Sequence, residues 1–428
     1  MVYTVMTEKT KTQKHSVVLI LVCIYIFLLI ERPWESIRYL YDIPIEKPFA
    51  IALIIIAILH NKFRIVSSPT NIWVYGLLAI HFILAPFAFN SGDAIAQGIE
   101  YAKMVVLYLL MLSVAEDEEA LKMLVKAYVI TMILYATHSL WEYHNGRHVY
   151  RMGIIRMVGV DSTFNDPNAF GGSIVLSIPF AYALLKTETD KWLQKIYVGY
   201  FILAIICVVL TGSRSTFVAF LFLVFLWTIS HRGARKFKVM ALIIPLLFAV
   251  WILMPPEKQD RIRTIWNPEA GPANAQVSAD GRIEGFKVSW KMFKQVPFTG
   301  VGAGGNNFIK YRISNHIDDE GHETALQAHN LYGQVLAEFG IPGVVLFVGL
   351  VTSIFRCCFN VRKAISTHFS QDSFYYKLTG AVSSSLVLLL FLGLSGHNFY
   401  RPIWLWLAAW SGSLSLIVSK YDHIRKEQ

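Results

Sequence analysis

The sequence predicts an all-α integral membrane protein with about twelve transmembrane helices and one long extracytoplasmic helical loop. Three observations predict it. The 428 residues are 55% hydrophobic and 16% charged, whereas soluble domains carry about 25% charged residues. Apolar runs recur from one end of the chain to the other, near the ~20 residues that a bilayer core requires of a helix. Those runs are continuous, as in 17–30, and lack the alternation of a membrane β-barrel strand.

In order, the expected spans are 16–30, 48–60, 70–89, 99–115, 120–141, 169–185, 192–210, 216–230, 239–254, 331–355, 378–395 and 402–419. The first is expected to be retained, because Glu31-Arg-Pro-Trp-Glu35 is a poor signal-peptidase site. The chain divides into 1–254 with nine spans, a loop over 255–330, and 331–428 with three more. An even number of spans leaves both termini on one side. Lysine and arginine concentrate in the connectors of that side, for example Arg232, Arg235, Lys236 and Lys238. The expectation is therefore cytoplasmic termini and an extracytoplasmic loop. A net charge of +10 spread over short connectors does not suggest nucleic acid, because no basic soluble domain exists to bind it. Cys23, Cys207, Cys357 and Cys358 give no disulfide framework and read as reduced. The aromatics Trp34, Tyr39, Tyr41, Trp141, Tyr143, Trp251 and Trp404 fit interfacial belts.

The loop from about Pro255 to Ala328 has room for two or three helices. One is readable: Ile283, Phe286, Trp290 and Phe293 repeat at three-and-four spacing. Arg282 stands at its expected start, where helix N–H groups and a guanidinium would grip one anion. Pro297 and the glycine run 300–305 end it, and the run reads as a flexible turn.

Arg214 sits in Thr211-Gly-Ser-Arg-Ser215 at the outer end of an apolar run. A guanidinium fork matches phosphate oxygens two at a time, and Ser213 and Ser215 add hydroxyl donors. His329, in Gln327-Ala-His-Asn-Leu331, lies where the next apolar run begins. An imidazole is suited to take a proton from a hydroxyl at neutral pH, with Asn330 orienting a substrate or the ring. His397 and Asn398 repeat the dipeptide on the same face, close to Arg401. Asn165-Asp-Pro-Asn168 reads as a helix start whose Asn168 faces the same compartment. Lys103 is either a buried functional charge or a lysine near a helix end. The stretch His316 to Glu323 has metal-ligand residue types without a helical ligand spacing, so no metal is expected. Two arginines and an imidazole facing one compartment suit a lipid-linked phosphate. A transporter would instead show internal repeats or paired broken helices at the midplane, and the sequence shows neither.

The ordered set is more specific than any member: Thr-Gly-Ser-Arg-Ser (211–215), Gly-Arg-Ile-Glu-Gly-Phe-Lys-Val-Ser-Trp (281–290), Pro-Phe-Thr-Gly-Val-Gly (297–302) and Ala-His-Asn-Leu-Tyr-Gly-Gln-Val-Leu-Ala-Glu-Phe-Gly-Ile-Pro-Gly (328–343). It resembles the O-antigen ligase and polymerase superfamily of bacterial envelope proteins over about residues 160–345, and elsewhere only in topology. The resemblance implies a GT-C-type glycosyltransferase in the inner membrane, using no cofactor or metal. It would move a glycan from undecaprenyl pyrophosphate to an acceptor on the periplasmic side. It assigns catalysis to Arg214, Arg282 and His329. The acceptor is expected to be lipid A–core for a ligase, a lipid-linked repeat unit for a polymerase, or another envelope molecule.

Overall fold

The apolar runs fold as helices because their side chains leave backbone groups no partner but each other. The computed structural model describes residues 16–36, 38–40, 43, 45–151, 153–161, 164–231, 233–267, 274–317, 327–368 and 372–426. The main helices are α1 (Val17–Glu31), α2 (Glu46–Leu59), α3 (Asn71–Ile83), α4 (Ser91–Val114), α5 (Glu118–His144), α6 (Pro167–Thr187), α7 (Lys191–Thr211), α8 (Arg214–Ile229), α9 (Ala234–Leu253), α10 (Pro256–Arg263), α11 (Asn274–Gln295), α12 (Gly305–Ser314), α13 (Leu331–His368), α14 (Phe374–Gly393) and α15 (Ile403–Lys426). Each of the twelve expected spans falls on one of these helices. Nine helices among the described residues are long and apolar enough to cross a membrane, so this is a multi-pass helical membrane protein. The count of twelve is not established, because α2, α3 and α8 have only 14, 13 and 16 residues.

Helix ends follow local capping chemistry. Asn90 starts α4 earlier than its apolar run suggests, its side chain accepting from the Asp93 N–H at 3.0 Å. Asp166 caps α6 by accepting from the Asn168 and Ala169 N–H groups at 2.8 and 3.1 Å, with Pro167 in the first turn. Between helices, small residues and polar side chains do the work that a hydrophobic effect cannot do in lipid. Gly171 of α6 meets Thr216 of α8 so closely that a Cβ would overlap it. Ser385 of α14 donates to the Leu176 carbonyl of α6 at 2.9 Å, and Tyr108 of α4 donates to Asn71 of α3 at 2.7 Å. Bonds of this kind contribute about 0.6 kcal/mol each. By contrast, α9 has no buried residue at all.

Three features depart from the sequence reading. An antiparallel hairpin, β1 (His148–Arg151) with β2 (Ile154–Met157), joins α5 to α6, with Val149 opposite Arg156. Second, 300–305 is not a loose turn. Gly300, Gly302 and Gly304 all have positive φ, and the segment is bonded to α13: Val301 N–H donates to the Ala337 carbonyl at 2.8 Å and Gly302 N–H to the Glu338 carbonyl at 3.2 Å. Third, Trp34 and Trp404 are covered by other parts of the protein. Trp404 packs edge-on against Phe347 and donates its indole N–H to the Asn398 carbonyl at 2.9 Å. Tyr41 lies outside the described residues. Lys103 is exposed and ion-paired with Glu100 at 2.5 Å.

Candidate functional site

The turn carrying Arg214 is set by its neighbours in sequence. Gly212 ends α7 in the left-handed conformation, and Ser213 caps α8 by accepting from the Thr216 N–H at 3.3 Å. The Ser213 hydroxyl also donates to Asn168 Oδ1 at 2.7 Å and lies 3.2 Å from the Ser215 hydroxyl. Arg214, the first residue of α8, donates from Nη1 to Thr264 Oγ1 at 3.1 Å. Thr264 follows α10, and Arg261 within α10 donates from Nε to the Gly212 carbonyl at 2.7 Å. The loop beyond α9 is thereby laced onto the turn that presents Arg214.

Arg282 lies inside α11, eight residues past its start at Asn274. The expected gripping of an anion by a helix N-terminus at Arg282 does not hold. A single Gly281 costs a helix only about 1 kcal/mol relative to alanine, and Asp280-Gly281 does not break it. Gly285, one turn after Arg282, touches the Ala328 backbone so closely that a Cβ would overlap the carbonyl. Gly333 meets Ser289 in the same way. These two contacts press α11 against the start of α13 and set Arg282 beside His329.

His329 has φ +51, a left-handed backbone that costs of order 1–3 kcal/mol where surrounding structure imposes it. The next residue explains the imposition. Asn330 caps α13, its Oδ1 accepting from the Gly333 N–H at 2.5 Å, so the chain must turn at His329 to enter the helix. His329 also faces His397 of the α14–α15 connector, with ring centroids 5.4 Å apart.

Arg214, Ser215, Arg282, His329, His397, Arg401 and Asn168 all line one cavity of about 560 Å³. Ser213 is behind its wall through the bond to Asn168, and Asn330 is turned into the helix cap. The helix ends that form the cavity all belong to one end of the bundle. Its polar wall holds three arginines that the sequence reading did not single out: Arg151, Arg156 and Arg261. Arg151 pairs with Asp166 at 3.2 Å. Arg156 donates from Nε to the Thr211 carbonyl at 2.8 Å and from Nη2 to Asn168 Oδ1 at 3.0 Å. Asp166 is the one acidic residue among the described lining residues. Deeper in the bundle the wall turns apolar, with Ile30, Met132, Leu176, Leu389 and Trp406. Arg401 stacks on Phe164, its guanidinium carbon 5.1 Å from the ring centre.

The electrostatics follow from burial among like charges. Burial pushes Arg156 down to about 9 and Arg261 to about 10; Arg261 next lowers the first, and Arg214 the second. Both remain cationic at neutral pH. Arg282 is lowered by burial and then by Arg214. His329 falls below its ordinary 6.5 through burial, then Arg282 and Arg151. His397 falls to about 4 through burial, then His329 and Arg401. Both imidazoles are therefore neutral at pH 7, each able to accept a proton, beside cations that would bind an anion. The arrangement can hold a phosphorylated group with its apolar tail directed into the bundle, while a neutral base stands at its edge. No cluster of three or more His, Cys, Asp or Glu suited to a metal occurs among the described residues; Asp318 to Glu323 of the metal-like stretch lie outside them.

A multi-pass helical protein with a cationic cavity at one end of its bundle, roofed by a hairpin and loop helices, is the class these features define. Residues 199–348 match the family described as O-antigen ligase, in line with the superfamily that the ordered motifs resemble. That family is of O-antigen ligase and polymerase type glycosyltransferases acting on lipid-linked glycans. The match contains Arg214, Arg282 and His329 and begins after Asn168. No curated protein sequence matches the chain.

Proposed function

We propose that this protein is an O-antigen ligase of the bacterial inner membrane, transferring a polysaccharide from undecaprenyl pyrophosphate to lipid A–core on the periplasmic side. The observation that carries the reading is the convergence of Arg214, Arg282 and His329 on one cavity within the family-matched segment. The charge bias of the connectors supports cytoplasmic termini and a periplasmic site.

In this mechanism Arg214 and Arg282 pair with the pyrophosphate oxygens, and Arg261 adds to the positive field. The apolar wall takes the first isoprene units. The acceptor hydroxyl enters beside His329 and attacks the anomeric carbon from the face opposite the pyrophosphate. The carbon–oxygen bond to phosphate breaks as the new glycosidic bond forms, so the configuration inverts. The hydroxyl proton passes to His329, and the electron pair leaves on the lipid pyrophosphate, where the fixed arginines stabilise it without reorganising. Pyrophosphate is a good leaving group, so positioning and charge supply most of the rate, with no metal or nucleotide.

A polymerase would use the same donor and site but a lipid-linked repeat unit as acceptor. Mass analysis of envelope glycolipids from a strain lacking the protein separates the two. Uncapped lipid A–core is expected. Core capped by a single repeat would overturn the ligase assignment in favour of a polymerase, and unchanged core would point to another envelope acceptor.

A further inference from the structure

Glu338 is buried at 1% exposure in α13 and does not line the cavity. Removing a carboxylate from water costs several kcal/mol unless its geometry is fully satisfied. Its Oε2 accepts from the Gly304 N–H at 2.8 Å and from the Tyr400 hydroxyl. The Gly304 N–H is shared with the Tyr400 oxygen at 2.9 Å, closing a three-way junction. Three chain segments meet there. Gly304 ends the stretch that follows α11, the helix of Arg282. Glu338 lies two turns into α13, which His329 precedes. Tyr400 stands between His397 and Arg401. Adjacent backbone bonds reinforce the junction: Ile341 N–H donates to the Pro297 carbonyl at 2.8 Å, and Phe399 N–H to Gln334 Oε1 at 3.2 Å.

We infer that the Glu338 carboxylate is a positioning residue: with Tyr400 it fixes the spacing between the segments bearing Arg282, His329, and His397 with Arg401. The inference rests on the transfer reading above for what that spacing serves. A site held by one junction loses register in all three segments when the junction opens, and displacement near 1 Å can cost about a hundredfold in rate.

The test compares Glu338→Ala, Glu338→Gln, Tyr400→Phe and the Glu338→Ala/Tyr400→Phe pair in lipid nanodiscs, with a synthetic polyprenyl-pyrophosphate oligosaccharide as donor. Glu338→Ala is expected to lower kcat about tenfold or more with donor KM changed less than about threefold. Glu338→Gln retains an acceptor for both donors and should recover most of that loss. The double variant should be no worse than Glu338→Ala, because both changes open one junction. Hydrogen exchange of Glu338→Ala should quicken together in 300–304, 331–340 and 396–401. Wild-type kcat in Glu338→Ala, strict additivity in the double variant, or exchange changes confined to α13 would overturn the inference. If Glu338→Ala does not fold, Tyr400→Phe decides, and wild-type kcat in that variant would overturn it. Should the wild-type protein itself show no turnover, the transfer reading fails, while the exchange pattern still decides whether the junction couples the three segments.

Discussion

Replacing Arg214 with lysine keeps the charge at the start of α8 and removes the planar fork. The side chain holds Thr264 Oγ1 at 3.1 Å while Thr264 donates to the Arg261 carbonyl at 2.7 Å. Arg214 is thus tied to α10 as well as aimed at the cavity. Lysine presents three donors on one atom and cannot hold Thr264 and offer a parallel pair to a phosphate together. The change removes one charge-assisted hydrogen bond in the transition state, about 1.5–3 kcal/mol. At 1.36 kcal/mol per decade this is a loss of about 10- to 150-fold in turnover. Arg214→Gln gives up the charge as well and should fall further. Thr264→Val keeps the guanidinium and removes its bond to the Thr264 hydroxyl, and a loss below about tenfold is expected. The assay is release of lipid pyrophosphate by protein in nanodiscs, with thermal melts in parallel to confirm folding. Turnover by Arg214→Lys within about twofold of wild type would refute two-pronged phosphate binding at this residue.

Three further outcomes follow from the same geometry. His329 sits below its ordinary 6.5, so the neutral form persists as pH falls; the rate should be level above 6.5 and decline only as pH drops through the lowered value. Arg282→Gln removes a cation that holds it down and should move that acid limb to higher pH in a pH–rate profile, whereas an unmoved limb contradicts the coupling. Asn330→Ala should destabilise by about 1 kcal/mol through loss of the α13 cap, with Asn330→Ser restoring the melting temperature; a loss of turnover that serine does not rescue would instead mark Asn330 as a substrate contact. Gly300→Ala places a side chain at φ +65 against the Glu338 carbonyl, costing about 1–2 kcal/mol for conformation alone. Its control, Gly199→Ala, has open space within 4 Å and should be neutral or gain about 0.5–1 kcal/mol, so equal melting temperatures for the two would contradict the docking of 300–305.

The sequence revealed helices wherever burial in lipid dictates them, because a long apolar run has one way to satisfy its backbone. Arg214 and His329 were legible because a charged or basic residue at a bilayer edge stands out against apolar flanks. Arg156 and Arg261 were not. Each lies among ordinary connector residues, and only the fold reveals that the hairpin and α10 tuck their guanidinium groups under the Thr211 and Gly212 carbonyls. Arg282 was found for a partly wrong reason: Asp280-Gly281 resembles a helix start, but tertiary packing of α11 on α13 carries the helix through it. The closeness of Arg282 to His329 depends on Gly285 and Gly333, whose role is steric and lacks a local signature. The 300–305 run misled in the opposite direction, since glycine permits tight docking as readily as looseness. Nothing in the spacing of 331–343 signals that Glu338 bonds to segments 34 and 62 residues away.

The most direct test is transfer by the purified wild-type protein in nanodiscs, supplied with a polyprenyl-pyrophosphate oligosaccharide and lipid A–core in chelator and without nucleotide. The account predicts a capped core of inverted anomeric configuration, one lipid pyrophosphate released per glycan joined, and no product from Arg214→Gln or His329→Ala. Transfer that requires an added metal or nucleotide, or that persists in both variants, would contradict it.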